Sequence, residues 1–269
     1  MCGFTHCYKH EIMVKNRQKN KTGKSLGQSQ SKKQNTSTDS SFPPSLLSDH
    51  KKSKRNFLNV SALVPSAVFV ARNFMDQNEC NSWIKFAEDV GFESLCSPQT
   101  REYAQRQCGR ISRNDWDMAD KLYQRMKPMV DEIARQVLIS NSDETYSPLT
   151  CNGNLRLYRY NKNMSFGRHF DGSQRISKIE GAHTEITVLI YLSTCKGGAT
   201  RFYLPTSSKR SSSGKKKSKD ENSESFVPEA GSILFHIHGD RCLEHEADPV
   251  IDGVKYVLRT DIVYAPTQS

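Results

Sequence analysis

The chain has 269 residues, enough for one sizeable domain with tails. Its formal charge of +10 is uneven, because residues 1–56 hold twelve Lys and Arg against Glu11, Asp39 and Asp49 and the remainder is close to neutral. A basic-protein label therefore does not describe the folded part, no stretch approaches the roughly 20 apolar residues of a membrane span, and the first ten residues hold no apolar run of secretory-signal length.

The expected setting is cytoplasmic or nuclear, with no membrane, and the eight scattered cysteines read as reduced thiols rather than a disulfide framework. Residues 1–60 read as a disordered basic leader, too polar to bury surface enough to offset its ordering entropy. Its charge suits either a solvated tail or a nuclear-import or nucleic-acid-contacting arm. Cys2, His6, Cys7 and His10 could clip a zinc ion but lack a paired Cys-x-x-Cys, so a disordered terminus is the alternative.

Order is expected from near Pro65, with a first strand over Ser66–Ala71. Asp76 and Glu79 stand at the N-cap and N3 positions of a capping box. Cys80, Ile84, Ala87 and Val90 follow at helical spacing, and Gly91 is a stop. A second helix starts at Asn114 or Asp115 with Leu122 and Met126 inward. Pro128 then interrupts it, or opens a separate helix carrying Met129, Ile133 and Val137.

After Pro148 the texture changes to short strands: Asn154–Tyr160, Glu185–Ser193, Ala199–Leu204, Ser232–Ile237 and Val254–Tyr264. Many short strands after a helical preface imply a mainly β fold, a double-stranded β-helix (jelly roll) braced on one side by helices. The expected domain is 61–266, with helical support over 76–140 and a jelly-roll core over 150–266. Residues 207–225 form a low-complexity, Lys- and Ser-rich insertion, either a solvated linker or a basic lid.

Chemistry is concentrated in Arg168-His169-Phe170-Asp171-Gly172. In an extended segment residues two apart share a face, so His169 and Asp171 can offer an imidazole and a carboxylate to one ion. His245 is the expected third ligand, completing the two-histidine, one-carboxylate set that leaves coordination positions open. His183, His236 and His238 compete with it, the last two as a pair on one strand face. Beyond His245, the strand that follows Asp252-Gly253 puts Lys255, Val257, Arg259 and Asp261 on one face. A cation pointing into a barrel needs an anion there. Alternatively Lys255 snorkels to solvent and Arg259 pairs with Asp261 or a helix carboxylate.

With Arg156-Leu157-Tyr158-Arg159-Tyr160 before these motifs and Gly197-Gly198-Ala199-Thr200-Arg201-Phe202 between them, residues 66 to 264 resemble the 2-oxoglutarate/Fe(II) oxygenases of the prolyl 4-hydroxylase type. Lys255 lies ten positions after His245, the family's place for a basic residue. The resemblance implies that His169, Asp171 and His245 hold Fe(II). It further implies that Lys255, with Tyr160, binds the distal carboxylate of the co-substrate 2-oxoglutarate, Arg259 being the alternative anchor. Ascorbate is the implied reductant. The implied activity is hydroxylation of a protein or peptide, on proline. Nucleic acid or a small molecule is the alternative acceptor, and a catalytically silent metal-binding module the alternative class. Nothing in the sequence sets an oligomeric state.

Overall fold

A computed structural model describes residues 41–48, 59–101, 104–138, 146–205 and 222–267. A short hairpin, β1 (Ser61–Val64) and β2 (Val68–Ala71), leads into α1 (Gln77–Val90). There the capping box forms as the sequence predicts: Asp76 accepts from the Glu79 N–H at 2.9 Å, and Glu79 accepts from the Asp76 N–H at 3.1 Å. Next come β3 (Glu93–Ser97), β4 (Arg106–Asn114), α2 (Trp116–Leu138), β5 (Tyr146–Cys151), β6 (Asn154–Tyr160) and β7 (Phe166–His169). The chain closes with β8 (His183–Tyr191), β9 (Lys196–Gly197), β10 (Thr200–Tyr203), β11 (Ser223–Phe226), β12 (Ile233–Ile237), β13 (His245–Ala247), β14 (Val250–Asp252) and β15 (Lys255–Pro266).

All strand pairings are antiparallel, in the order β1-β2-β12-β8-β15-β6-β4-β7-β13-β10-β11, and β1 lies against β11, so the sheet nearly closes on itself. The central strands are buried on both faces, and side-chain alternation sorts them. Ile186, Val188, Ile190, Ile233, Phe235, Leu258 and Ile262 pack against Trp83, Leu122, Met126 and Ile133 of the helices. The other set, with Tyr191, Leu234 and Val257, faces Phe202 and Phe226 inside the barrel. Gly231 joins the layers: its carbonyl accepts the Phe74 and Met75 N–H groups. At φ +81° a Cβ there would sit 2.1 Å from the Met75 carbonyl oxygen, so only glycine fits.

Four expectations change. The helix is not divided at Pro128; α2 runs unbroken through it. Met126, Met129, Val130 and Ile133 keep one fully buried stripe across the proline, and burial at about 1.5–3 kcal/mol per side chain outweighs one lost hydrogen bond. Part of the leader is packed rather than disordered. Phe42 and Leu46 are buried, Phe42 against Trp83 with ring centroids 5.2 Å apart, and the Phe42 N–H donates to Asp115 at 2.6 Å. The last residues of the expected insertion belong to β11, which pairs with β10. The region assigned to helical support also contains β3 and β4, whose charged, weakly alternating sequence hid them. Residues 1–40, with the Cys2–His10 cluster, residues 49–58 of the expected leader and residues 207–221 of the insertion lie outside the described residues. No helix among the described residues is long and apolar enough to cross a membrane.

Candidate active site

His169 ends β7 and His245 opens β13, and the two are direct Cα partners across that antiparallel pair. Their rings lie 4.1 Å apart between centroids. Asp171 turns back toward both, its Oδ1 3.8 Å from His169 Nε2 and its Oδ2 3.7 Å from His245 Nε2. One ligand atom from each of the three lies within 4.8 Å of the others. His169 Nδ1 lies 2.8 Å from the Gly167 carbonyl and His245 Nδ1 3.0 Å from the Leu243 carbonyl. A carbonyl only accepts, so each Nδ1 carries the proton and each Nε2 presents its lone pair to the centre.

The protonation states suit a metal. Burial, then the neighbouring His245, pushes His169 down to about 3, and burial also lowers His245. Burial works against an ionised Asp171, but Arg259 and the two imidazoles hold its carboxyl well below the usual range. At neutral pH the cluster is therefore two neutral imidazoles and a carboxylate, the deprotonated forms a divalent ion requires. This donor set fits Fe(II).

Around Asp171 the barrel interior supplies a polar frame. The Thr187 hydroxyl lies 2.7 Å from Asp171 Oδ2, 2.9 Å from His238 Nε2 and 3.2 Å from Asp261 Oδ1. Arg259 Nη2 is 3.0 Å from Asp171 and 3.6 Å from Asp261. Burial opposes the charge on Arg259, but those two carboxylates hold it protonated. His236 Nε2 accepts the Leu243 N–H at 3.1 Å, bracing the residue whose carbonyl orients His245. His236 and His238 thus make hydrogen bonds beside the ligand cluster rather than joining it, and His183 bonds Glu185 at 2.6 Å.

Lys255 is 3% exposed and opens β15 opposite Tyr160 of β6. Its Nζ donates to the Gly198 carbonyl at 2.7 Å and lies 5.5 and 5.7 Å from the Tyr160 and Tyr191 ring centroids. Gly197 and Gly198 both take positive φ, +75° and +65°. No carboxylate among the described residues lies within 4.0 Å of Nζ, and burial pushes the ammonium down to about 8. Lys255, Tyr160, Arg259 and the three clustered residues line one cavity of ≈ 50 Å³. A wider cavity of ≈ 480 Å³, beside His183 and the end of α2, contains none of the three.

Two residues of this site escaped the sequence reading. Thr187 sits in an apolar run where a hydroxyl looks incidental. Arg106 lies in β4, a strand the periodicity did not reveal, yet it borders the cavity with its Cζ 3.7 Å from the Phe166 ring centroid.

Residues 155–260 match the family model of the 2OG-Fe(II) oxygenase superfamily, a segment holding every residue of the cluster as well as Lys255 and Arg259. No curated protein matches the chain. Among solved structures, a viral collagen prolyl hydroxylase from Paramecium Bursaria Chlorella virus-1 is similar at 17% identity, covering 74% of this chain and 96% of its own, with a TM-score of 0.48. A Pseudomonas putida prolyl-4-hydroxylase is similar at 14% identity, covering 73% and 92%, with a TM-score of 0.44. A Trichoplax adhaerens prolyl hydroxylase, in complex with a hypoxia inducible factor oxygen degradation domain peptide fragment, is similar at 14% identity, covering 74% and 84%, with a TM-score of 0.48. Over residues 155–260 the chain is thus similar to the 2OG-Fe(II) oxygenase superfamily.

Proposed function

We propose that this chain is a peptidyl hydroxylase of the prolyl 4-hydroxylase type, dependent on Fe(II) and 2-oxoglutarate, with ascorbate as reductant. His169, Asp171 and His245 would hold the metal. Bound Fe(II), with 2-oxoglutarate and dioxygen as co-substrates, would supply an oxidative decarboxylation to succinate and carbon dioxide coupled to hydroxylation of an acceptor C–H, one oxygen atom of dioxygen going to succinate and the other to the acceptor. The protein's part is positioning and exclusion of water. The Gly167 and Leu243 carbonyls fix the imidazole tautomers, and Thr187 and Arg259 fix the carboxylate.

The observation that carries the reading is the buried Lys255 ammonium, with no carboxylate among the described residues within 4.0 Å, in the same cavity as the cluster. A buried cation without a counter-ion is costly unless a ligand brings one, and the distal carboxylate of 2-oxoglutarate is that anion. Tyr160, buried in the same wall, would close over it. Arg259 is already matched to Asp171 and Asp261, which favours Lys255 as the anchor.

The test is succinate formation with Fe(II), 2-oxoglutarate and ascorbate, screened against proline peptides, nucleic acids and small molecules. Stimulation by proline peptides, with a mass gain of one oxygen, is expected. Stimulation by nucleic acid or small molecules alone would replace the acceptor, and no turnover of any kind would indicate a silent module.

A further inference from the structure

Arg106 is the second cation at the site without a carboxylate partner among the described residues. It is the Cα partner of Phe166, its guanidinium lies on that ring, and the ring stacks on His169 at 3.7 Å and 24°. Its Nε is buried without a hydrogen-bond partner. Stacking on an aromatic face occupies the plane of a guanidinium but leaves its N–H edge free for an acceptor.

Position separates its role from that of Lys255. Lys255 borders the inner cavity, whereas Arg106 borders both that cavity and an outer cleft of ≈ 410 Å³ formed with Pro98, Thr100 and Phe170. Phe170, between His169 and Asp171, is 64% exposed. It also borders a second cleft, of ≈ 260 Å³, with Arg168 and Tyr203. Open space therefore runs to either side of Phe170 at the mouth of the metal site. A ligand using both sides must be long and extended, and on the Arg106 side it meets a cation with no carboxylate partner among the described residues.

We propose that Arg106 binds the acceptor, pairing with a carboxylate of an extended polypeptide that crosses the site mouth over Phe170. This rests on the peptidyl-hydroxylase reading and deepens it: the acceptor carries Asp or Glu beside the oxidised residue. The anion is the acceptor's and not that of 2-oxoglutarate, because Arg106 stands where the cavity opens outward.

The experiment uses the full chain, anaerobic, with Fe(II) and 2-oxoglutarate, and dye-labelled proline peptides that differ only by Glu or Gln beside the proline. Fluorescence anisotropy should give Kd values about tenfold lower for the Glu peptides, the scale of one charge-assisted hydrogen bond, with the gap narrowing as salt is raised. Arg106→Gln should erase the preference and Arg106→Lys should keep part of it, each measured at saturating Fe(II) and 2-oxoglutarate. Equal binding of Glu and Gln peptides by the unaltered chain overturns the proposal. So does an Arg106→Lys variant that shifts the 2-oxoglutarate requirement instead of peptide affinity. Acidic peptides that bind with the expected preference but are never hydroxylated would refute the peptidyl-hydroxylase reading and leave the Arg106 assignment standing.

Discussion

Replacing Lys255 by methionine should move stability and co-substrate binding in opposite directions. Burial pushes the ammonium from 10.5 to about 8. At about 1.4 kcal/mol per pH unit, this costs the folded protein without co-substrate about 3 kcal/mol at neutral pH. Methionine removes that cost, offset by about 1–2 kcal/mol for the Gly198 carbonyl it leaves unpaired. Lys255→Met should therefore raise the stability of the protein without co-substrate by about 1 to 2 kcal/mol, read in urea denaturation. The pH dependence has a definite sign. Between about 8 and 10.5 the unfolded chain binds a proton at Lys255 that the folded protein does not, so stability rises with pH across that window. The variant loses this rise. In the co-substrate complex the same change strands a desolvated carboxylate, at 2–5 kcal/mol, so half-saturation by 2-oxoglutarate should rise at least about thirtyfold. A variant that is less stable, yet needs no more 2-oxoglutarate, would show that the charge at Lys255 is structural and refute the reasoning.

Anaerobic Fe(II) with 2-oxoglutarate should give a weak visible charge-transfer band that His169→Ala abolishes; a surviving band removes His169 from the metal. Arg259→Met should weaken metal retention more than the 2-oxoglutarate requirement, because Arg259 holds Asp171 at 3.0 Å; equilibrium dialysis against Fe(II) checks this. Deleting residues 1–40 should leave thermal stability unchanged. Deleting residues 1–48 should cost at least about 3–5 kcal/mol, the scale of losing a buried aromatic such as Phe42, and calorimetry on the two truncations separates these outcomes. Gly231→Ala should cost several kcal/mol or prevent folding, since its Cβ meets backbone at 2.1 Å; a near-wild-type Tm would contradict it.

Local pattern alone determined a good deal of this protein. The capping box at Asp76, the strand Asn154–Tyr160 and the inward face of Lys255, Val257, Arg259 and Asp261 follow from short-range periodicity, and all three are found in the fold. The two-residue spacing of His169 and Asp171 likewise belongs to the chain's own geometry. Partnership did not. That His245 stands across from His169 is fixed by the register of β13 on β7, two strands too short and polar to read from the sequence. Whether Arg259 or Lys255 is left without a carboxylate depends on Asp171 arriving from a different strand connection, and that residue's charge lies 3.0 Å from only one of them. Pro128 in mid-helix and Phe42 in the core follow the same rule, since burial against distant residues outweighs local preference. Pattern assigns each side chain to a face, but only the folded chain sets the distances between charges, and those distances decide what each residue can bind.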